Sequence, residues 1–354
     1  MEFQRYKLSQ LITIKNGKDY KHLEEGDVPV FGSGGYMCSV SSYLYDKVSI
    51  LLPRKGTLSN IQYFNNGKFW TVDTCFYSII NESLCDPYYL YRHLRSLDLS
   101  GFDTGASIPS MTQKTYNGIK VSLPSLPTQR RIASILSAYD NLIENNNKRI
   151  RLLEQMAENL YKEWFVRFRF PGHEKAEFEN GLPKGWKVMK LDKILTVRYG
   201  KDHSKIEDGD IPILGSGGIM RFGNKELYAS ESVLIPRKGS LNNIMYIDEP
   251  FWTVDTMFFT EMKYKNIAKY VYYVLSGIDM ESYNSGAALP SMTTNILNHF
   301  KVILPSEDVL ALFDEKVELL FFQKKKLIQQ SALLARQRDL LLPRLMSGKL
   351  EVNI

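Results

Sequence analysis

Between residues 127 and 165 one face of the chain returns at alternating steps of four and three, through Ile132, Leu136, Tyr139, Ile143, Asn146, Ile150, Leu153, Ala157, Leu160 and Trp164. That spacing belongs to a helix that presents one seam to a partner helix. No glycine interrupts the run, and at about 1.5 Å per residue it predicts a rod of roughly 50 Å. Residues 307–342 repeat the pattern, with Phe313, Val317, Leu320, Lys324, Leu327, Ser331, Leu334, Arg338 and Leu341 in frame. The two rods are expected to pair with each other. Their polar members Asn146, Lys324, Ser331 and Arg338 weaken such a seam but fix its register and orientation.

Ahead of each rod the pattern changes to short β-rich runs such as VSILLP, NIQYF and FWTVDTCFYSII, broken by Gly, Asn and Pro, as strands joined by tight loops require. A helical stretch follows near residues 86–97, with a counterpart near 266–275. Asp86-Pro87 reads as a helix start. Then come a Gly- and Pro-containing loop and one more strand, GIKVSLP or FKVILP.

The two halves are copies. KLSQLITIKNGKDY matches KLDKILTVRYGKDH, VPVFGSGGYM matches IPILGSGGIM, LLPRKGTLSNI matches LIPRKGSLNNI, FWTVDT recurs unchanged, and TGASIPSMT matches SGAALPSMT. The offset runs from 183 (Lys7 to Lys190) through 182 (Phe69 to Phe251) to 181 (Thr104 to Ser285). A period this long is a tandem duplication of a globular unit with its trailing rod, not a solenoid. The predicted class is α+β: two similar mixed α/β domains, each followed by a long helix, with the two helices pairing as an antiparallel coiled coil. The boundaries fall at a first domain over 1–126, a first helix over 127–170, a polar linker over 171–186, a second domain over 187–306, a second helix over 307–342 stopped by Pro343, and a tail over 343–354.

Composition narrows the class. A chain of 354 residues with 44% hydrophobic content can bury real cores. The polar start and the lack of a long apolar run predict no signal peptide and no membrane span, and so a place in the cytoplasm. Cys38, Cys75 and Cys85 form no metal-ligand spacing and suit a reducing compartment. The net charge of +6 permits a polyanionic partner without requiring one.

The duplicated loops carry the candidate chemistry. PRKG places Arg54 and Lys55, and again Arg237 and Lys238, beside a glycine, followed by Thr57 and Asn60 or Ser240 and Asn243. A planar guanidinium, a point charge and small hydrogen-bonding side chains near accessible backbone suit phosphates and base edges. A single PRKG reads more readily as a solvated hairpin; two in matching contexts make a ligand at least as good a reading. GSGG, with Ser33 and Gly34 or Ser216 and Gly217, fits no nucleotide-binding pattern and reads as a turn permitting close backbone approach. The WTVDT and Pro-Ser-Met-Thr segments add Thr71, Thr74, Ser107, Ser110 and Thr112, then Thr253, Thr256, Ser291 and Thr293, residue types equally at home as turn and helix caps. Around these segments the copies diverge: Tyr36, Cys38 and Ser39 stand where the second has Ile219, Arg221 and Phe222, and Arg221 adds a candidate guanine reader. No histidine repeats across the duplication, so no shared metal site or histidine base is expected, and no cofactor. Asp86-Pro87-Tyr88-Tyr89 is only superficially similar to the Asp-Pro-Pro-Tyr motif of amino-methyltransferases, lacking its second proline and any glycine-rich cofactor loop.

With two such domains, the LPSLPTQRRIASIL lead-in to the first helix, the NGLPKGWKVMKLDKI start of the second domain and the closing LLPRLMSGKLEV, the chain resembles the specificity subunit of a type I restriction-modification system. It departs from that pattern where LPSEDVLALFDEKV lacks the form seen at Pro127 to Arg130 and where the first domain lacks the LPxGW lead-in. The resemblance implies a non-catalytic protein whose two target-recognition domains each read one half of a split double-stranded DNA target. Its paired helices would set the gap between the halves and dock two methyltransferase subunits, with two restriction subunits joining for cleavage. The competing readings are a DNA methyltransferase or nuclease with duplicated recognition domains, against which the missing cofactor and metal motifs count, and a scaffold that binds protein alone.

Overall fold

The structure, a computed structural model, describes residues 2–103, 108–284 and 290–352. The chain divides into two compact units, Met1–Asn146 with Gln329–Ile354, and Asn147–Ile328. Both are mixed α and β, built to one plan.

In the first unit a four-stranded sheet runs in the order Ile12–Asn16, Cys75–Ile80, Ser49–Pro53, Gln62–Phe64. A three-stranded sheet holds Glu25–Gly32 between Gly35–Val40, antiparallel to it, and the short Trp70–Thr71, parallel to it. Gln4–Lys7 and Lys120–Leu123 close a two-stranded ribbon. The second unit repeats all three, as Leu195–Tyr199, Met257–Met262, Ser232–Pro236, Met245–Ile247; then Gly218–Gly223, Ile211–Gly215, Trp252–Thr253; then Lys187–Lys190 with Lys301–Leu304. Ser49–Pro53 and Ser232–Pro236 are buried at every residue, so their polar members need internal partners. Ser49 Oγ donates to the Ser78 carbonyl at 2.7 Å, and Ser232 Oγ does the same to Thr260 at 2.8 Å. The expected short helices form at Pro87–Arg95 and Ala268–Ser276, and the Asp86 carboxylate caps the first by accepting from the Tyr89 amide at 2.9 Å.

The long helices run Leu126–Tyr161 and Glu307–Met346. Every seam position of both is buried or half-buried. Within the first unit they run antiparallel, Asn146 Nδ2 donating to Gln330 Oε1 and Ser331 Oγ at 3.2 and 3.3 Å and Asp140 pairing with Arg338. Within the second unit Glu154 pairs with Lys324, and Trp164 and Phe165 stack against Phe313. Each core therefore closes on helix residues from both halves of the duplication. Leu8, Leu52, Phe76, Leu90 and Tyr116 pack with Ile132 and Leu136 from the first helix and with Leu345 and Met346 from the end of the second. In the other unit Leu191, Ile235, Phe258 and Tyr270 pack with Phe313 and Val317 and with Ala157, Trp164 and Phe165.

Three sequence-based boundaries are corrected. The first helix does not reach residue 170: it passes into a π-helical turn at Lys162–Val166, whose wider period turns the adjacent Trp164 and Phe165 both inward, and Phe168 at φ 57 ends it. Pro343 does not stop the second helix, which runs on to Met346 because Leu345 and Met346 are drawn into the first unit's core, and Gly348 at φ 73 follows. Nor is 171–186 a loose linker. Asn180 and Gly181, both with positive φ, turn a hairpin between Phe178–Glu179 and Leu182–Pro183, and Trp186 packs on Phe165, Phe168 and Phe170. The Pro127-Thr128-Gln129 run absent from the second half has a structural counterpart. Buried Gln129 donates to the Leu84 and Pro124 carbonyls and accepts from the Asp86 amide, where the second copy packs the equally buried Leu310.

The long helices are fastened to the short helices Pro87–Arg95 and Ala268–Ser276 by charge as well as by packing. Asp140 accepts from Tyr88, Arg92 and Arg338, and Arg92 is almost completely buried. Burial acts to raise the Asp140 pKa, but the hydrogen bonds from Tyr88 and Arg338 and the charges of the two arginines outweigh it and hold the carboxyl below the usual carboxylate range. The second unit uses different residues: buried Lys269, standing where the first copy has Tyr88, meets Asp314 at 2.8 Å, Glu318 at 2.9 Å and Glu231 at 3.0 Å. Because a depressed carboxylate stabilises the fold above its unfolded pKa, near 3.9, and loses that contribution as pH falls through the lower folded value, Asp140→Asn should cost about 2–3 kcal/mol at neutral pH. Urea unfolding of both proteins from pH 7 to pH 3 checks this: the gap between them is expected to narrow once the pH falls below about 4.

Candidate functional site

In each unit four of the duplicated segments converge at one end of the sheets. Ser33-Gly34 is the two-residue turn joining Glu25–Gly32 to Gly35–Val40, with Gly32 opposite Gly35. Arg54, Lys55 and Gly56 follow the buried central strand. The Arg54 amide donates to the Thr74 carbonyl at 2.8 Å, the Gly56 amide to Pro109 at 2.8 Å and the Met111 amide to Arg54 at 3.0 Å, while Lys55 bridges Ser110. Asn60 Nδ2 donates to the Ser33 carbonyl at 2.7 Å and Gln62 Nε2 to Gly32 at 2.9 Å. Gly56, at φ 92, adopts a backbone conformation that favours glycine, and a Cβ there would lie 3.3 Å from Ser33 Oγ, a tight contact.

The second unit reproduces the geometry. Arg237 N meets Thr256 at 2.8 Å, Gly239 N meets Pro290 at 3.1 Å, Met292 N meets Arg237 at 2.9 Å, Lys238 bridges Ser291, and Asn243 Nδ2 donates to the Ser216 carbonyl at 2.7 Å. Both arginines are aimed by the protein. Arg54 Nη1 donates to the Asp73 carbonyl at 3.3 Å and Arg237 Nη1 to the Asp255 carbonyl at 3.0 Å, each lying near an aromatic ring, Phe76 or Tyr199. Lys55 and Lys238 have no ion partner among the described residues. The arrangement presents an aimed guanidinium, an ammonium group and the exposed Thr57 or Ser240 beside accessible turn backbone, a donor-rich surface suited to an anionic, hydrogen-bonding ligand.

Not every candidate reaches that surface. Thr71 and Thr253 are completely buried, in the short strands beneath the turn, and cannot meet a ligand. Trp70, Thr71 and Val72 are buried in succession, as are Trp252, Thr253 and Val254, and only at Asp73 and Asp255 does the segment come to the surface. Arg221 is not a free reader either: Nη2 donates to the His203 and Ile206 carbonyls at 2.7 and 2.8 Å, and Nη1 faces Asp208. It holds the neighbouring loop. Thr112 and Thr293 are exposed, but their hydroxyls cap the helices Gln113–Gly118 and Thr294–Asn298. Thr74 and Thr256 are half-buried and contribute their carbonyls; Gly217, like Gly34, sits exposed in its turn. Ser107 lies outside the described residues.

Other residues of the surface were passed over in the sequence. Met37 and Met220, at matching bulges in the strands after the turns, are about half exposed, beside Tyr36 at 64% and Ile219 at 58%. A large exposed apolar side chain repeated beside a basic loop marks a contact surface, and the recurring GGYM and GGIM carried that signal.

Comparison with known proteins follows this duplication. The family model of the type I restriction modification DNA specificity domain matches residues 1–155 and again 183–330. The chain is 26% identical over 374 residues to the type I restriction enzyme MjaIX specificity subunit of Methanocaldococcus jannaschii, covering 95% of this chain and 84% of that one. It is 19% identical to the HindI specificity subunit of Haemophilus influenzae, covering 76% and 79%. A crystal structure of the S subunit of a type I restriction-modification system from M. genitalium superposes with a TM-score of 0.68 over 100% of this chain and 97% of that one, at 18% identity, a likeness of fold.

One further constraint holds the turns. Trp70 Nε1 donates to the Lys18 carbonyl and Trp252 Nε1 to Lys201, both at 2.9 Å, strapping the segment after Gly17 or Gly200 against WTVDT. A Cβ on either glycine would lie 2.0 Å from a backbone oxygen, that of Val72 or Val254. Gly17→Ala and Gly200→Ala should each destabilise the protein by about 1–3 kcal/mol, as overpacking does. Shifted urea midpoints check it, and a neutral alanine at either site would mean the close approach is not what holds the turn.

Proposed function

This chain belongs to the family of type I restriction-modification DNA specificity domains, and on that premise we propose that it selects the DNA sequence for such a system without catalysing a step itself. Each unit takes one half of a split double-stranded target, through the surface formed by Ser33, Gly34, Arg54, Lys55, Thr57 and Asn60 in the first and by Ser216, Gly217, Arg237, Lys238, Ser240 and Asn243 in the second. The observation that carries this reading is the duplication of the surface itself: the same segments converge through the same hydrogen bonds in both units. Two equivalent readers in one chain fit a target with two halves.

The proposed partners are two methyltransferase subunits, joined by two restriction subunits for cleavage, in the cytoplasm where the DNA lies. Support for docking on the long helices comes from their outer faces. Leu319 and Phe322 stand exposed in the second unit, and Leu142, Leu333 and Leu340 in the first, all outside the seam. Exposed apolar side chains spaced along a helix suit a partner's helix.

The segments common to both units imply shared base or phosphate contacts, while Tyr36 against Ile219 and Ser39 against Phe222 imply different ones. The repeats trail into helices that run antiparallel, so shared contacts are expected as inverted repetition between the halves, as dimer symmetry gives palindromic operators. The test is base-resolution mapping of methylated sites in cells carrying this chain with its methyltransferase. The expected motif is split, with halves that are partly but not fully inverted copies; a continuous motif would overturn the two-reader proposal. Halves with no inverted base in common would leave the shared segments to phosphate contact and folding.

A further inference from the structure

The small ribbon at the edge of each unit carries a feature that works against its own folding. Lys7 stands directly opposite Lys120 in the first ribbon, and Lys190 directly opposite Lys301 in the second. Residues so paired share one face with β-carbons about 5 Å apart, where like charges destabilise a sheet. All four lysines are exposed, and none has an ion partner among the described residues. The pairs cannot separate by a slip of register, because the other face of each ribbon is held by the core: Tyr6 opposite Val121, and Met189 opposite Val302.

The rest of that outer face has diverged between the copies. Arg5 has become Val188 and Ser122 has become Ile303, yet both lysines stand in both copies. An unfavourable pair kept twice while its neighbours change calls for a ligand that makes it favourable, and two adjacent ammonium groups match a phosphodiester. The ribbons are also placed near the readers. Lys120 follows the six-residue helix Gln113–Gly118, which begins at the Ser110 segment bridged to Lys55. That helix rises about 9 Å, the axial span of two to three phosphates on one DNA strand.

We propose that Lys7 with Lys120, and Lys190 with Lys301, are two phosphate clamps, each gripping the DNA backbone beside the half-site read by its own unit. The proposal rests on the DNA-reading function and adds to it a contact that positions the duplex without reading sequence.

The assembled complex with the methyltransferase carries the test, comparing wild type with the double variants Lys7→Gln/Lys120→Gln and Lys190→Gln/Lys301→Gln. Affinity is measured for target and unrelated duplexes across a salt series, together with thermal unfolding and the methylated motif. Removing one clamp, and with it the neutralisation of one phosphodiester, should lower the slope of log affinity against log salt by about one unit and weaken binding to both duplexes alike. The motif should be unchanged, and the thermal midpoint should hold or rise as the repulsion is lost. Double Lys→Arg variants should keep the slope. A slope unchanged in both glutamine variants overturns the clamps, as does weakened assembly with the methyltransferase at an unchanged slope, which assigns the lysines to a protein interface. Wild-type complex without salt-dependent DNA affinity would instead overturn the DNA-reading function on which the clamps rest.

Discussion

Neither globular unit closes its core with its own copy of the repeat alone. The first needs Leu345 and Met346 from the far end of the second helix, and the second needs Ala157, Trp164 and Phe165 from the far end of the first. Burying large side chains of this kind is worth about 1.5–3 kcal/mol each, so the helices are parts of both cores and not spacers attached to finished domains. This sharing explains local oddities. A π turn is tolerated where it delivers two adjacent aromatics to one core, and a proline is tolerated where two more apolar residues must still arrive. Charge reinforces it, through Asp140 with Arg338 in one unit and Glu154 with Lys324 in the other.

The proposed reading surface is built mainly from backbone. The arginine, glycine and methionine amides of each loop find carbonyls on neighbouring segments, and one asparagine side chain ties the loop to the turn. Such a scaffold is indifferent to most side chains it carries. The exposed positions beside it, Tyr36 against Ile219 among them, can therefore differ between copies without disturbing the geometry, as the proposed reading of two different half-sites requires.

Much of this was legible in the sequence because duplication separates what both copies keep from what either happens to have. The seam was readable from its steps of four and three, and PRKG, GSGG and the Pro-Ser-Met segment were readable as one surface because they recur together. Failures came where recurrence has more than one cause. Thr71 and Thr253 recur because the short strand needs a small buried side chain, not because a ligand meets them. Arg221 looked like an added reader, but its guanidinium satisfies loop carbonyls that only the folded chain brings within reach. Pro343 is a strong local stop overridden by tertiary packing. The opposed lysines were present in the repeated KL and KV dipeptides, yet their significance depends on a strand pairing across more than a hundred residues.

The central proposal is that each unit reads one half-site and that the length of the two helices sets the gap between the half-sites. Lengthening both helices by seven residues at matching seam positions keeps the seam in frame and adds about 10 Å, close to three base pairs. Mapping the methylated motif of that variant is the direct measurement. The account predicts unchanged half-sites separated by a gap about three base pairs longer, and an unchanged gap between intact half-sites would contradict it.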